Sequence, residues 1–331
     1  MSWRALLAAG ACALGFVGAA RAASAVSAGA AASAPVDCPP PAVAPTPDEI
    51  GTLMRAAVDR GPLWKATKDG RSVWLYGTIH VAKREWMFPG KDVLRAVMAS
   101  DMVALELDLT DPDVLGRLQK AVVRTPTSPT LAPALQRRLE AGMAAACVDP
   151  ATLAALRPEM QAVTLETFEG RQFGLYPDYG IDVFLAGLAK GLKKQLRSLE
   201  TPELQASLLV SDDPAETAET VGSVLDELDG GKSPQMLQRM AGDWERGDVA
   251  DLGAYPRWCE CLDTPRQRED FRKLIDERNP LMADKIVQWH AEGKSPFVAA
   301  GSLHMVGAVG LPALLQARGF TVERVPFADA R

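Results

Sequence analysis

Two segments near opposite ends of the chain share one local pattern, an apolar run that ends in Gly and reaches His three positions later. The first is Val73-Trp74-Leu75-Tyr76-Gly77-Thr78-Ile79-His80, and the second is Phe297-Val298-Ala299-Ala300-Gly301-Ser302-Leu303-His304. Together they use two of the three histidines in 331 residues. Uncharged apolar runs of this length, flanked by Gly, read as buried strands. In open α/β sheets ligands collect outside the carboxyl ends of the strands, so the pattern predicts His80 and His304 at one functional edge. Gly77 and Gly301 are expected to turn the chain out of the strand in conformations that a side chain resists, and to leave room for a substrate or cofactor against the backbone.

The rest of the chain fits around these two strands. Thr46-Pro47-Asp48-Glu49 combines an N-cap, a first-turn Pro and a capping-box Glu, and predicts a helix carrying Ile50, Leu53, Met54, Ala57 and Val58 on one face, stopped by Gly61. Segments 62–67 and 73–76 flank Asp69-Gly70, a hairpin turn signal. A helix over about 91–100 leads to an apolar strand over 102–107. From Asp111 to about Asn279 the chain reads as helices, with Pro112, Pro150, Pro158, Pro202, Pro214, Pro234 and Pro265 at helix starts and one short strand at 196–200. A helix over 280–291, a strand over 297–300, a helix ending near Gly319 and a strand over 321–326 complete the order. This predicts an α/β fold whose central mixed sheet is built from the N- and C-terminal strand-helix units, with a large helical middle insertion, as a single domain over 47–331.

The N-terminus carries an export signature: Arg4, an apolar run from Leu6 to Ala20, and the small-x-small site Ala20-Arg21-Ala22. Residues 1–22 are predicted to be a signal peptide, and the Ala/Ser/Pro-rich 23–46 an unstructured leader. The expected location is periplasmic or secreted from a bacterial cell, with no stable membrane span after cleavage. A formal charge of -6, made more negative by loss of Arg4 and Arg21, argues against nucleic acid as a partner. Four cysteines remain after cleavage, Cys38, Cys147, Cys259 and Cys261, and in an oxidising compartment they read as disulfides. Because direct pairing of Cys259 with Cys261 closes a very small ring, links from those two to Cys38 and Cys147 are favoured. A Cys-x-Cys metal site lacks further ligands nearby.

Glu106 is the third chemical candidate. It ends an otherwise apolar strand, where an unpaired carboxylate is costly, so a cation or imidazolium is expected beside it. Two imidazoles and a carboxylate suit a divalent metal such as Mn, Co or Zn, which predicts His80, Glu106 and His304 as its ligands. Asp108 joins them only if the strand continues that far. Asn279 is expected to cap the helix that begins at Pro280, which leaves Arg278 free to hold a substrate carboxylate or an oxyanion. His290, late in a helix, reads as structural. Ser302 lacks the flanking glycines of a nucleophile elbow.

Gly77-Thr78-Ile79-His80, the strand-borne Glu106, Arg278-Asn279 with Met282-Ala283, and Gly301-Ser302-Leu303-His304 with Gly307 and Gly310-Leu311 follow the order and spacing of the TraB/GumN/Tiki family. The chain resembles that family from about residue 62 to 325, and Gly180-Ile181-Asp182 and Leu199-Glu200-Thr201 with Gln205 also resemble its segments. The resemblance implies an α/β fold in which two similar halves each offer a Gly-x-x-His to one cleft, within a superfamily that includes Tiki-type metalloproteases, erythromycin esterases and haem-binding ChaN-like proteins. By motif position His80, Glu106 and His304 inherit the catalytic or metal-ligand role, and Arg278 a supporting one. The expected activity is metal-dependent hydrolysis of a peptide or another amide or ester. The alternatives are a non-catalytic haem or peptide binder, and a metal-free esterase in which one His acts as general base.

Overall fold

The computed structural model describes residues 38–231 and 233–327 of the chain; the expected signal peptide and residues 23–37 lie outside them. Six strands, β1 (Leu63–Lys68), β2 (Arg71–Thr78), β3 (Met102–Leu105), β4 (Gln195–Ser198), β5 (Pro296–Gly301) and β6 (Thr321–Arg324), form one sheet in the order β4-β3-β5-β2-β1-β6. β4, β3, β5 and β2 run parallel, whereas β1 is antiparallel to both β2 and β6. The sheet is therefore mixed, and the fold is α/β. Asp69 and Gly70, both at positive φ (51° and 73°), close the β1–β2 hairpin as the Asp-Gly signal requires.

Strand alternation divides the core in two. Tyr76, Val103, Leu105, Phe297 and Ala299 face the helical middle, while Leu75, Ala104, Val298 and Ala300 face Met282, Ile286 and Trp289 of helix Arg278–Ala291. β5 is paired on both sides and covered on both faces, which is why its sequence is an unbroken apolar run. In the middle, Asp111, Asp149, Thr201, Asp213 and Thr264 cap helices whose first turns hold Pro112, Pro150, Pro202, Pro214 and Pro265. Each side-chain oxygen takes a backbone N–H that the first turn leaves unpaired, and each Pro sits where no N–H is needed.

Several expectations are corrected. The first helix, Pro47–Ala56, keeps its Thr46/Glu49 capping box but ends five residues before Gly61 and buries none of its residues. Ile50, Met54 and Val58 stay exposed. Gly61, at φ 72°, turns the chain beneath Trp244 instead. Residues 38–46 of the expected leader are held in place: Tyr176 Oη donates to Pro40 O (2.7 Å), and Tyr179 Oη accepts from Val43 N (2.7 Å). Cys38 is bonded to Cys147, and Cys259 to Cys261. The cross-links favoured from the sequence fail because the two pairs occupy different places. Cys259 and Cys261 are buried together beside Tyr255, whereas Cys38 is exposed next to the end of helix Pro133–Ala145. Among the described residues no helix is long and apolar enough to cross a membrane.

Candidate active site

Four parallel strands end side by side, and each delivers one polar group to the same edge. In the order β4, β3, β5, β2 these are Glu200, Glu106, His304 and His80, each following its strand by a few residues. Pairing of Thr78 with Gly301 sets the two Gly-x-x-His turns side by side on adjacent strands, offset by one residue, so histidines distant in sequence become neighbours. The turns also bind each other, as Ser302 Oγ donates to Thr78 O (2.9 Å). Ser302 is committed to that bond and is not a nucleophile poised over the site.

The side chains meet around Gly301. A Cβ placed there would lie 3.4 Å from Glu106 Oε1, 3.7 Å from His304 Cδ2 and 3.8 Å from His80 Nε2. Gly301 N–H donates to Glu106 Oε1 (2.8 Å). Gly301 thus keeps space open among the functional groups, whereas Gly77 makes room for the fold itself. A Cβ on Gly77 would come within 2.6 Å of Pro62 Cγ and 2.8 Å of Ser302 Oγ. Neither glycine has a positive φ, so close approach and not unusual backbone conformation explains both.

Each histidine is oriented through Nδ1. His80 Nδ1 donates to Asp182 Oδ2 (2.6 Å), and Asp182 Oδ1 accepts from Thr78 Oγ1 (2.7 Å). His304 Nδ1 donates to Asn279 Oδ1 (2.6 Å), while Asn279 Nδ2 donates to Val309 O (2.8 Å) and so fixes the amide's orientation. Asn279 is therefore a partner of His304 and not a helix cap; the helix begins at Arg278, continuing a π-helical turn over Arg272–Asp276. Arg278 Nη1 lies 3.1 Å from His304 Nε2. Since guanidinium only donates, that nitrogen is the acceptor and His304 is neutral, with its proton on Nδ1.

Arg278 is 2% exposed and ties the edge together. Its Nη2 donates to Glu106 Oε2 (2.6 Å) and also to Glu200 Oε2; its Nε donates to Glu200 Oε1 (2.8 Å) and its Nη1 to Leu274 O (2.9 Å). Gln205 Nε2 bridges Glu106 and Glu200 at 3.2 and 3.0 Å. Burial would raise the Glu106 carboxyl, but the charge of Arg278, helped by His80 and the Gly301 N–H, outweighs it and holds Glu106 well below the usual carboxylate range. Burial pushes His304 down to about 3, and Arg278 adds to the effect. Burial also opposes charge on His80, yet the Asp182 carboxylate prevails and raises it. Two imidazoles in matching turns therefore have opposite protonation tendencies.

Over these groups lies an apolar cover. Met240 and Trp244 from helix Ser233–Arg246, Leu252, Leu274 and Ile275 close a pocket with Leu303 and the polar edge. Trp244 Nε1 donates to Gly77 O (2.8 Å), fixing the helical middle to the first Gly-x-x-His turn.

The sequence placed His80, Glu106, Arg278 and His304 in one site, and they share this pocket. Asp108 lies apart, because β3 ends at Leu105 and the Asp108 carboxylate closes a turn onto Thr110 N (2.9 Å). His290 packs against Phe320, with Nε2 3.0 Å from Lys68 O. Asp182, Glu200 and Gln205 were visible in the sequence only as family-like segments without a role, and Thr78 lay inside the first turn unremarked.

The donor set can be matched to a divalent metal by its chemistry. It fits in kind: two imidazoles with Nδ1 tied to oxygen, the usual support of a metal-bound His, and an ionised carboxylate between them. It is not a preformed cage. Among the described residues no group of three His, Cys, Asp or Glu side chains is placed to hold a metal ion. Arg278 already occupies the His304 Nε2 lone pair and Glu106 Oε2.

The pattern of the TraB/PrgY/gumN family matches residues 62–324. Metalloprotease TIKI1 of Danio rerio is 24% identical over 325 residues, covering 80% of this chain and 63% of the relative, so the chain spans less than two thirds of that protein's length. No solved structure gives a significant match.

Proposed function

This chain belongs to the TraB/PrgY/gumN family, and from that premise we propose that it is an exported, divalent-metal-dependent hydrolase of a peptide or another amide or ester. The observation that carries the reading is the meeting of His80 Nε2, Glu106 Oε1 and the His304 ring around the bare α-carbon of Gly301. Similarity to a metalloprotease and the oriented Nδ1 atoms support it. His80 and Glu106 would hold the cation, joined by His304 once Arg278 releases its Nε2, and the cation when bound would lower the pKa of a water and polarise a carbonyl.

The protein's own groups divide the remaining work. Glu106, held ionised, is a poor proton acceptor and serves as a fixed anion at the centre of the site. His80, its Nδ1–H held by the Asp182 carboxylate, presents Nε2 to the centre of the site in a fixed orientation. Arg278, anchored on Glu200, supplies a buried cation that can turn towards an oxyanion. The apolar cover of Trp244, Leu274 and Ile275 excludes bulk water, which strengthens each of these interactions. The test is a peptide-library digestion with and without added Mn, Co or Zn. Metal-dependent products from the wild type and none from folded Glu106→Gln support the reading; products that survive exhaustive chelation remove the metal from it.

A further inference from the structure

We propose that the Cys38–Cys147 disulfide is a redox latch that holds the His80 half of the site in its working geometry, so that the activity is latent in a reducing compartment and assembled in an oxidising one. The proposal concerns regulation of the site described above and rests on the hydrolase reading for its activity arm alone.

A continuous chain of contacts links the disulfide to His80. Cys38 opens a strap, residues 38–46, that has no secondary structure of its own and is bonded to a cysteine 109 positions away. The strap lies on the two tyrosines of a single turn. Tyr176 Oη donates to Pro40 O (2.7 Å); Tyr179 Oη accepts from Val43 N (2.7 Å) and donates to Val43 O (3.1 Å). The two rings pack edge to face, 5.5 Å apart.

That turn is bolted to the catalytic segment on both sides. Tyr176 and Ala82 exchange backbone hydrogen bonds of 2.9 and 3.0 Å, and Ile181 N donates to Ile79 O (3.1 Å). Gly180 fits so tightly that a Cβ on it would lie 2.7 Å from His80 O. Asp182 follows at once and takes the His80 Nδ1 proton at 2.6 Å. Arg84, just beyond His80, returns to the strap through Val43 O (3.0 Å) and to the helix after it through Glu49 (2.7 Å). The strap therefore clamps the element that carries His80's partner and the segment that carries His80.

The noncovalent hold on the strap is slight, since Cys38, Pro40, Val43 and Thr46 are exposed and the ion pair Arg84–Glu49 of the following helix lies at the surface. With a disulfide in place, the strap's effective concentration at its seat is high. Reduction by a dithiol breaks the S–S bond, gives each cysteine a proton and oxidises the dithiol to its own disulfide, a balanced two-electron exchange. It leaves residues 38–46 held only by their contacts with Tyr176, Tyr179 and Arg84. Exposure of Cys38 makes the bond accessible to such a reagent, whereas Cys259 and Cys261 are buried.

The experiment compares the oxidised protein with Cys38→Ser and Cys147→Ser, and with Cys259→Ser/Cys261→Ser as control. Hydrogen exchange of the Val43, Gly180 and Ile181 amides and NMR of the His80 Nδ1 proton are the readouts. At least tenfold faster exchange at Ile181 and at His80 Nδ1 in both strap variants, and not in the control, supports the latch. Tyr179→Phe, with the disulfide intact, should speed exchange at Val43 while leaving Ile181 within twofold. Unchanged exchange at Ile181 and His80 in the strap variants, whether or not Val43 is freed, overturns the proposal. Where the oxidised protein cleaves peptides, the strap variants should lose at least tenfold in kcat, and equal kcat also overturns it. Absence of cleavage in every form counts against the hydrolase reading, and the exchange data then judge the latch by themselves.

Discussion

Replacing Arg278 by Met is the most severe single perturbation the site offers, and its size follows from what the guanidinium neutralises. Arg278, Glu106 and Glu200 have side chains 2%, 7% and 2% exposed. The substitution leaves two carboxylates facing each other out of water with Gln205 as their shared side-chain donor. Removing one partner from a buried ion pair costs about 3–5 kcal/mol, because the abandoned charge keeps its desolvation penalty. For a domain of this size that corresponds to a fall in melting temperature of roughly 5–10 °C. Urea denaturation at pH 7 should show the loss. It should shrink in Glu106→Gln/Arg278→Met, where one of the two charges is gone. A loss below about 1 kcal/mol at pH 7 would refute the view that Arg278 holds this edge together.

Other substitutions separate chemistry from folding. Gly301→Ala puts a methyl at ordinary contact distance from Glu106 and His304, so its stability should stay within about 1 kcal/mol of wild type while hydrolysis falls sharply. Gly77→Ala, whose methyl meets Pro62 at 2.6 Å, should instead destabilise by about 1–3 kcal/mol; unfolding curves and initial rates of the two variants give the comparison. Asp182→Asn removes the carboxylate that orients His80 through Nδ1 and should lower kcat about 10–100-fold with little change in stability; a wild-type rate would remove Asp182 from the site. Burial, and then the bond shared with Asp251, push the Asp243 carboxyl up to about 6. The folded state thus binds that proton more tightly than the unfolded chain does, and stability should decline as pH rises from about 4 to about 6. Asp243→Asn, which has no proton to lose, should flatten the decline in melting temperature over that range.

The sheet was legible because its strands are written in apolar runs and its turn in Asp69-Gly70. The helical middle was legible because Pro follows Asp or Thr at so many starts. The meeting of His80 and His304 followed from one rule, that parallel strands end together, applied to two matching turns. What the sequence hid was tertiary. Asn279 has the local look of a helix cap, yet its amide orients His304 because the preceding π-helical turn runs straight into its helix. Asp182 and Glu200 lie in ordinary-looking segments, and their roles appear only when helix Ile181–Gly191 and β4 bring them to the shared edge. The stripe of Ile50, Met54 and Val58 predicted a buried helix face that the fold leaves outside. The disulfide pairing was misjudged because ring size, unlike spatial neighbourhood, is all that spacing reveals.

The central claim is that His80, Glu106 and His304 act as one hydrolytic centre. Calorimetric titration of the oxidised wild-type protein with Mn, Co and Zn, followed by peptide digestion of the same samples, tests it most directly. The account predicts one bound cation per chain, with binding and cleavage both lost in folded Glu106→Gln and His304→Ala. A folded wild type that takes up no divalent cation at saturation, or that cleaves equally well as Glu106→Gln, would contradict it.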